Sequence, residues 1–410
     1  MFLLKREYSN KNFIIKGFIA SLLLSAFIYL SYFNIEIKLL NTVLGLLGIY
    51  MLLVVPKRSL LVTGFSMGIL WCWWMAVSLQ YYELTFLTPI LLIGIAIVYA
   101  IIFYLFAFFD RLTVRIAMIF AFTFFAPFGF NWMKFELIFI DSYIGTSKED
   151  LLLILFTFYL IIKLKRHKIL GFIPLLFALN FGKGEYIDNS SVKMYMPQMN
   201  VEQSIKWTRD FKTTLYEKDF AEINNAINEK KELVILPETA FPTAINKNSE
   251  LMERLKNASN SIDIITGALY VENDLVYNAS YHFSKGEVVI AQKVVLVPFG
   301  EEIPLPKFFV DLINKMFFNG AQDFSRASAP TDFIIKGEKF RNAICYEATT
   351  DKIFENINDT RYMIAISNNA WFTPSIEPTL QHLLLKYYAR KYGVTIFHVV
   401  NGTPNKIYRP

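Results

Sequence analysis

Long apolar runs occupy the first 181 residues of the chain. The first five approach or exceed the ~20 residues that a helix needs to cross a bilayer, and the last two hold 13 residues each. The last two cannot merge into one helix, because the basic cluster 163–168 would then lie at mid-membrane, so they are two spans or none. We therefore predict a helical membrane domain at 1–182 with about seven spans, at 17–33, 39–55, 59–82, 84–109, 112–130, 151–163 and 169–181.

From about residue 191 the pattern changes to short apolar runs that end in polar residues. The runs have strand length and several are rich in Val and Ile, while helical periodicity occupies 201–230 and 378–392. The runs 277–283 and 288–296 flank the turn 284–287 and predict a β-hairpin. Strands that alternate with helices predict an α/β layered domain at 191–410, with further strands at 192–197, 232–237, 263–270, 340–344, 362–367 and 394–400.

The composition agrees with two domains, one in the lipid bilayer and one in water. A chain of 410 residues exceeds the ~250–300 residues that a single hydrophobic core supports. Hydrophobic residues make up 54% of it and charged residues 19%, against roughly 25% charged in an ordinary soluble domain. The net charge of +6 is modest, and the cations of the membrane half lie beside apolar spans, so no nucleic-acid partner is expected.

Positive charge alternates between the connectors of the membrane half. Five or seven crossings both leave the second half on the same side. By the positive-inside rule the N-terminus is cytoplasmic and everything after residue 182 lies outside. A cleaved signal peptide is the alternative for the first run, but further spans follow it directly. The basic connectors hold Lys5, Arg6, Lys11, Lys16, Lys57, Arg58, Arg111, Arg115 and the 163–168 cluster, and the opposite ones hold only Lys38, Lys134, Lys148 and Lys183.

Three reactive side chains lie at or near the ends of predicted strands. Glu238 follows the run 232–237, Cys345 follows the run 340–344, and Lys293 lies late in the second hairpin strand. Ligands of open α/β sheets bind beyond the carboxyl ends of the strands. A thiol attacks as thiolate, which a nearby cation favours. A carboxylate in a dry pocket can accept the thiol proton, and an ammonium can stabilise an oxyanion.

Each of these residues also has a plain structural interpretation. A cysteine in an apolar strand is more often core than nucleophile, and a Glu after a strand or a Lys on a hairpin commonly faces solvent. The two cysteines, Cys72 in an apolar run and Cys345 in the polar half, exclude a disulfide framework. The combination of carboxylate, ammonium and thiol is what favours chemistry.

The sequences around these residues form a set of motifs: PETAFP at 237–242, QKVVLVPFGE at 292–301, ICYE at 344–347, NNAWF at 368–372 and QSIKW at 203–207. The set resembles the nitrilase superfamily and, behind a multi-span membrane domain, the apolipoprotein N-acyltransferase family. The resemblance covers essentially the whole chain in order. It implies an extracytoplasmic αββα sandwich with Glu238 as general base, Lys293 as partner of the oxyanion and of carboxylates, and Cys345 as nucleophile.

The resemblance also implies supporting roles for Glu301, Tyr346, Glu347 and Trp207. For Glu301 and Glu347 the alternative is an ordinary structural ion pair, and for Trp207 it is simple packing. The chain differs from the family at Asn369, where aspartate is usual, and at Thr373, where glycine is common. The second domain is also shorter at its C-terminus than the resemblance leads us to expect. The apolar segment 305–320 is predicted to be either a membrane-dipping lid or a buried core helix.

The activity that the resemblance implies is a two-step acyl transfer at the bacterial inner membrane. Cys345 takes an acyl chain from a phospholipid as a thioester, and the α-amine of the N-terminal diacylglyceryl-cysteine of a lipoprotein accepts it. No metal or organic cofactor is expected, since the histidines of the second half, His282, His382 and His398, lack ligand spacing. The alternatives are a membrane-tethered amidase with the same triad and an inactive relative that binds lipoproteins.

Overall fold

The computed structural model describes residues 10–164, 166–182, 190–308, 310–311 and 323–410. The chain forms two compact units. The first comprises Met1–Pro127 and Asn131–Lys183, and the second comprises Phe128–Phe130 and Gly184–Pro410. Most of the apolar segment 305–320 lies outside the described residues.

The first unit is helical, and each of the seven apolar runs contains helix. Among the described residues, four stretches are long and apolar enough to cross a membrane: Asn12–Tyr32, Lys57–Tyr82, Thr85–Leu105 and Leu112–Gly129. The expected total of about seven spans stays a prediction. The α-helices are α1 Asn10–Tyr32, α2 Lys38–Val54, α3 Lys57–Cys72, α4 Thr88–Leu105, α5 Leu112–Phe122, α6 Lys148–Lys163 and α7 Ile173–Phe177, and 3-10 turns occupy Trp73–Tyr82, Thr85–Leu87, Pro127–Gly129, Glu136–Phe139 and Lys168–Phe172.

Close backbone contacts and an internal cap hold these helices together. A Cβ at Gly64 of α3 would lie 2.3 Å from the carbonyl oxygen of Tyr99 on α4, so this crossing requires glycine. Arg115 of α5 is buried and donates from Nη1 to the carbonyls of Leu53 at 2.9 Å and Val55 at 2.8 Å. These carbonyls lie where α2 ends and intrahelical donors run out, so the arginine satisfies them in an apolar setting.

The described part of the second unit contains two five-stranded sheets. The strands are β1 Met194–Tyr195, β2 Leu233–Ile235, β3 Asp263–Glu272, β4 Leu275–Ser284, β5 Glu287–Gln292, β6 Asp332–Ile335, β7 Glu338–Ile344, β8 Tyr362–Asn368, β9 Thr395–Asn401 and β10 Lys406–Tyr408. The first sheet has the order β1-β2-β3-β4-β5, parallel up to β3 and antiparallel beyond it. The second has the order β10-β9-β8-β7-β6, with a parallel centre and antiparallel edges.

The two sheets pack face to face with helices outside them. The helices are α8 Gln203–Lys206, α9 Arg209–Asn228, α10 Ser249–Ala258 and α11 Glu377–Tyr392. Ile235 of the first sheet and Ile364 of the second belong to one inner core. Phe220 of α9 and Leu255 of α10 cover the outer face of the first sheet, and α11 packs on β9 of the second. Each such buried side chain contributes about 1.5–3 kcal/mol. The predicted αββα sandwich is confirmed.

The ends of several elements differ from the sequence prediction. The helix expected at 201–230 is broken, because α8 ends at Lys206 and α9 begins at Arg209. The second hairpin strand ends at Gln292, so Lys293 lies just beyond the strand rather than within it. The pattern does not predict β6 and β10, because strands of four and three residues are too short to display an alternation.

Candidate active site

Glu238 follows β2 and is held by an asparagine from the adjacent hairpin. Its side chain is 7% exposed, and Nδ2 of Asn278 on β4 donates to its Oε1 at 2.7 Å. Burial raises the pKa of Glu238, and the charge of Lys293 works in the opposite direction. A carboxylate with a raised pKa takes up a proton more readily at neutral pH, so Glu238 is chemically suited to act as a general base.

The main chain at Glu238 crosses directly over β3. A Cβ at Gly267 on β3 would lie 2.6 Å from both the Cα of Glu238 and the main-chain nitrogen of Thr239. Thr239 has a φ of 49°, in the left-handed region, so the chain turns sharply after the glutamate. A side chain at position 267 would push this turn away, and glycine therefore fixes where the Glu238 carboxylate lies.

Lys293 is fully buried and forms a short ion pair. Its Nζ lies 2.6 Å from Oε2 of Glu301, which also accepts a hydrogen bond from the main-chain nitrogen of Val297 at 2.9 Å. Oε1 of Glu301 accepts from Asn278 at 3.0 Å, so one amide group joins Glu301 to Glu238. Burial alone would lower the pKa of Lys293, but the charges of Glu301 and Glu238 raise it above its ordinary value. Lys293 is therefore an ammonium throughout the neutral range.

Cys345 follows β7 with a φ of 56°, again in the left-handed region. Its Sγ lies 4.0 Å from Nε2 of Gln381 on α11. Burial, and then the negative charge of Glu238, raise the pKa of the thiol well above its ordinary value, and the opposing charge of Lys293 is too weak to reverse this. The nearby cation therefore does not produce a standing thiolate. The thiol is protonated at neutral pH and needs a base in order to attack.

The carboxylate of Glu347 links the two sheets beside the cysteine. Its Oε2 accepts from the main-chain nitrogens of Val294 at 2.8 Å and Val295 at 3.2 Å, which follow the first sheet. Its Oε1 accepts from the nitrogen of Ile344, at the end of β7 in the second sheet, at 2.7 Å. Burial raises the pKa of Glu347 to about 7, against the charge of Lys293 and these hydrogen bonds. Glu347 thereby ties the segment that carries Lys293 to the end of the strand that precedes Cys345.

Tyr346 and Trp207 make contacts of a different kind. Tyr346 is buried, with its hydroxyl donating to the carbonyl of Gly129 at 3.1 Å and its ring stacked on Phe130, 6.1 Å between centroids. Trp207 lies in the break between α8 and α9 and is 40% exposed, with the Lys212 ammonium 5.9 Å from its ring centre. Tyr346 therefore packs against the segment Phe128–Phe130, whereas Trp207 presents its ring at the surface of the unit.

A second buried lysine, which has no role in the sequence analysis, contacts the Glu238 backbone. Lys206 is 1% exposed, and its Nζ donates to the main-chain carbonyl of Glu238 at 3.1 Å. Burial lowers the pKa of Lys206 to about 8, against the charges of Glu238 and Asp219. Asp219 on α9 is also fully buried, and burial raises its pKa well above the ordinary value. Lys206 therefore holds the Glu238 backbone in place and adds a positive charge that lowers the pKa of the Glu238 carboxyl group.

The first two turns of α11 bring two further polar side chains to Cys345. Gln381 contacts the sulfur and also accepts a hydrogen bond from Asn369 at 3.1 Å. Glu377 is buried, and burial followed by the charge of Glu238 raises its pKa to about 8. Glu377 in turn raises the pKa of the Cys345 thiol. In the sequence, Glu377 and Gln381 are only polar residues near the start of a predicted helix. Nothing in the pattern distinguishes Asn278 from the other residues of its strand.

Comparison with known proteins places the chain in a family. Residues 11–181 match the apolipoprotein N-acyltransferase integral membrane domain. An apolipoprotein N-acyltransferase of Wolinella succinogenes is 42% identical over 393 residues, which cover 95% of this chain and 94% of that protein. The chain belongs to the apolipoprotein N-acyltransferase family. A second relative of the same name, from Campylobacter jejuni, is 37% identical over 402 residues, 97% of this chain and 90% of that protein.

Members of the apolipoprotein N-acyltransferase family catalyse lipoprotein N-acylation. The chain is accordingly an acyltransferase with an integral membrane domain. Among solved structures, an amidase from Nesterenkonia sp. matches 55% of this chain and 84% of that chain with a TM-score of 0.41 and 15% identity.

Proposed function

We propose that the protein transfers an acyl chain from a membrane phospholipid, through a thioester on Cys345, to the α-amine of the N-terminal diacylglyceryl-cysteine of lipoproteins. The observation that carries the proposal is the buried cluster of Glu238, Lys293 and Cys345, three groups whose charges act on one another. Family membership and the membrane domain support lipid and lipoprotein substrates.

The first half-reaction forms the thioester. Glu238 accepts the thiol proton as the sulfur of Cys345 attacks the ester carbonyl of the phospholipid, which is necessary because the thiol is protonated at rest. The buried ammonium of Lys293 stabilises the oxyanion that develops on the carbonyl. When the tetrahedral intermediate collapses, protonated Glu238 returns its proton to the leaving alkoxide, and a lysophospholipid departs.

The second half-reaction transfers the acyl chain to nitrogen. A neutral α-amine attacks the thioester carbonyl, Lys293 again faces the oxyanion, and the C–S bond breaks. Glu238 takes a proton from the attacking nitrogen and passes it to the departing thiolate, which restores the starting state. A thiolate is a good leaving group, and burial keeps water away from the intermediate.

The neighbouring residues support this chemistry through position and charge. Glu301 holds the Lys293 ammonium, Asn278 aligns Glu301 with Glu238, and Glu347 fixes the two segments that carry Lys293 and Cys345. Because each group is buried and held by directed bonds, little reorganisation is needed when charge develops. We assign no cofactor or metal to the reaction.

For cellular location we propose the bacterial inner membrane, with the catalytic unit on its outer, periplasmic side. The alternation of basic residues between the connectors of the membrane half supports this orientation. An outward site gives Cys345 access to the N-termini of exported lipoproteins and to the phospholipid of the outer leaflet.

The test is direct observation of the covalent intermediate. Purified protein incubated with phospholipid and no acceptor should gain the mass of one fatty acyl chain, and neutral hydroxylamine should remove it, as a thioester requires. The adduct should be absent from Cys345→Ala and present in the control Cys72→Ala, whose thiol lies in a buried position of α3. A diacylglyceryl-cysteine peptide should discharge it and become N-acylated. Folded protein that never gains the adduct would refute the acyltransferase mechanism and favour an inactive, lipoprotein-binding relative.

A further inference from the structure

Glu377 is a buried carboxyl group that the two half-reactions above leave unused. It is 2% exposed, and its Oε2 has no hydrogen-bond partner among the described residues. Buried polar atoms are nearly always paired, so an unpaired carboxyl oxygen beside the proposed reactive cluster is free to bind a group other than the described residues. The carboxyl group is close enough to Cys345 and Glu238 for their charges to affect one another.

The helix geometry directs Glu377 toward the nucleophile. Glu377 and Gln381 are four residues apart on α11, so their side chains lie on the same face of the helix, with about 5–6 Å between Cβ atoms. Gln381 lies 4.0 Å from the sulfur of Cys345. Glu377 therefore lies one helical turn from the residue that contacts the sulfur, on the same face of α11.

An acceptor that arrives as an ammonium must lose one proton more than Glu238 carries in the second half-reaction. A primary α-amine has a pKa of about 7.7–8.0 and arrives mostly as an ammonium at pH 7. Conversion of that ammonium into an amide removes two protons from the nitrogen. One travels through Glu238 to the leaving thiolate of Cys345. The other must leave before attack, because an ammonium has no lone pair with which to attack the carbonyl.

We propose that Glu377 binds the α-ammonium of the acceptor and accepts this first proton, so that it acts in the aminolysis step and not in thioester formation. The inference rests on the proposed acyl transfer. The N–H bond of the ammonium breaks, the proton moves to the Glu377 carboxylate, and the neutral amine attacks the thioester. The proton returns to solvent when the product leaves. The chemical class that this carboxylate recognises is a primary ammonium at the end of a peptide.

A purely structural role explains the position less well. Acidic residues are favourable in the first turn of a helix when they are ionised and exposed to the helix dipole. Glu250 in the first turn of α10 is of this kind and is exposed. Glu377 is instead desolvated, and burial brings its pKa to about 8, close to that of the amine it would meet. The positive charge of a bound ammonium lowers the pKa of an adjacent carboxyl group, so the carboxylate forms as the acceptor binds, and proton exchange with an amine of similar pKa costs little.

The experiment measures the two half-reactions separately in full-length Glu377→Gln. Loading of Cys345 from phospholipid should be as fast as in wild type, because Glu377 takes no part in that half-reaction. Transfer to a diacylglyceryl-cysteine peptide at pH 7 should be slower, by up to about tenfold, since only about a tenth of the amine is neutral there without a base. The deficit should shrink as pH rises and vanish above about pH 9. Hydroxylamine, largely uncharged at pH 7, should discharge both proteins at equal rates.

Glu250→Gln is the matched control, since it also removes a first-turn glutamate, and it should leave both steps unchanged. Glu377→Asp provides a second variant if Gln disturbs folding, and it should slow peptide transfer alone. Equal slowing of loading, peptide transfer and hydroxylamine discharge would mean that Glu377 is structural, and unchanged peptide transfer would mean that it has no role. Both results overturn the inference while the acyltransferase mechanism stands. Wild-type protein that never loads would overturn both.

Discussion

The ammonium of Lys206 donates a hydrogen bond to the main-chain carbonyl of Glu238 at 3.1 Å. The contact reaches the backbone rather than the carboxylate, so the lysine fixes where Glu238 lies without neutralising it by direct pairing. Its charge still lowers the pKa of Glu238 from a distance. A single buried cation thus combines two effects on the proposed base.

Replacement of this cation should change both the rate and the pH dependence of loading. In Lys206→Met the pKa of Glu238 should rise, so the acidic limb of the pH–rate profile should move to higher pH. Displacement of the backbone should lower kcat/KM for phospholipid about 10²-fold. Lys218→Met, which removes an exposed lysine of α9, is the control. A lowered rate with an unmoved profile would indicate loss of packing alone.

Removal of the proposed base or oxyanion partner should stop the first half-reaction. Glu238→Gln should abolish thioester formation, because the thiol then has no acceptor for its proton. Lys293→Met should slow loading by roughly 10²–10³, the range for loss of an oxyanion donor. Intact-mass measurements over time give both rates. Loading near the wild-type rate in either variant would refute the assigned role without affecting family membership.

Gly267 provides a test of positioning that touches no reactive group. In Gly267→Ala the new Cβ would meet the Glu238 backbone at 2.6 Å, so the turn must shift. We expect loading to fall about 10²-fold and stability to fall by about 1–3 kcal/mol. Gly94→Ala, where nothing lies within 4 Å of the added Cβ, should leave both loading and stability unchanged. Wild-type loading in the first variant would mean that the carboxylate tolerates displacement.

The buried carboxyl groups should make stability fall as pH rises. Burial raises the pKa of Glu347 to about 7 and that of Glu377 to about 8, so folding favours their protonated forms. Their contribution is complete below the unfolded value of about 4.3 and is lost as pH rises through 7 and 8. Glu377→Gln cannot ionise. Its Tm should match wild type at pH 4 and exceed it by several degrees at pH 9. A variant less stable than wild type at pH 9 would contradict this sign.

The orientation of the chain can be tested with reporter fusions. A reporter placed after residue 183 should be active only outside the cytoplasm, and one placed near residue 165 only inside it, because the connectors alternate in positive charge. Paired reporters with opposite compartment requirements serve as mutual controls. Cytoplasmic activity of the first fusion would reverse the topology and deny Cys345 access to exported lipoproteins.

The proposed triad can be predicted from the sequence because each member belongs to a local motif near the end of a strand. Asn278, Lys206, Glu377 and Gln381 cannot, because their partners are distant in the chain. Asn278 meets Glu238 across 40 positions and Lys206 meets it across 32. Such pairs depend on strand register and on the break between α8 and α9, which hydrophobic periodicity does not resolve. The resting state of the thiol depends on desolvation, which only the packed structure reveals.

The bridge that Glu347 makes between the sheets has a consequence for biogenesis. Lys293 follows the first sheet and Cys345 follows the second, and one carboxylate holds the segments that carry them. A chain that has completed only one sheet carries an ordinary thiol and an ordinary amine. The proposed chemistry therefore requires both halves of the sandwich, because only their union brings the three groups together. On the proposed mechanism, an unfinished chain beside the lipid would take up no acyl group on its cysteine.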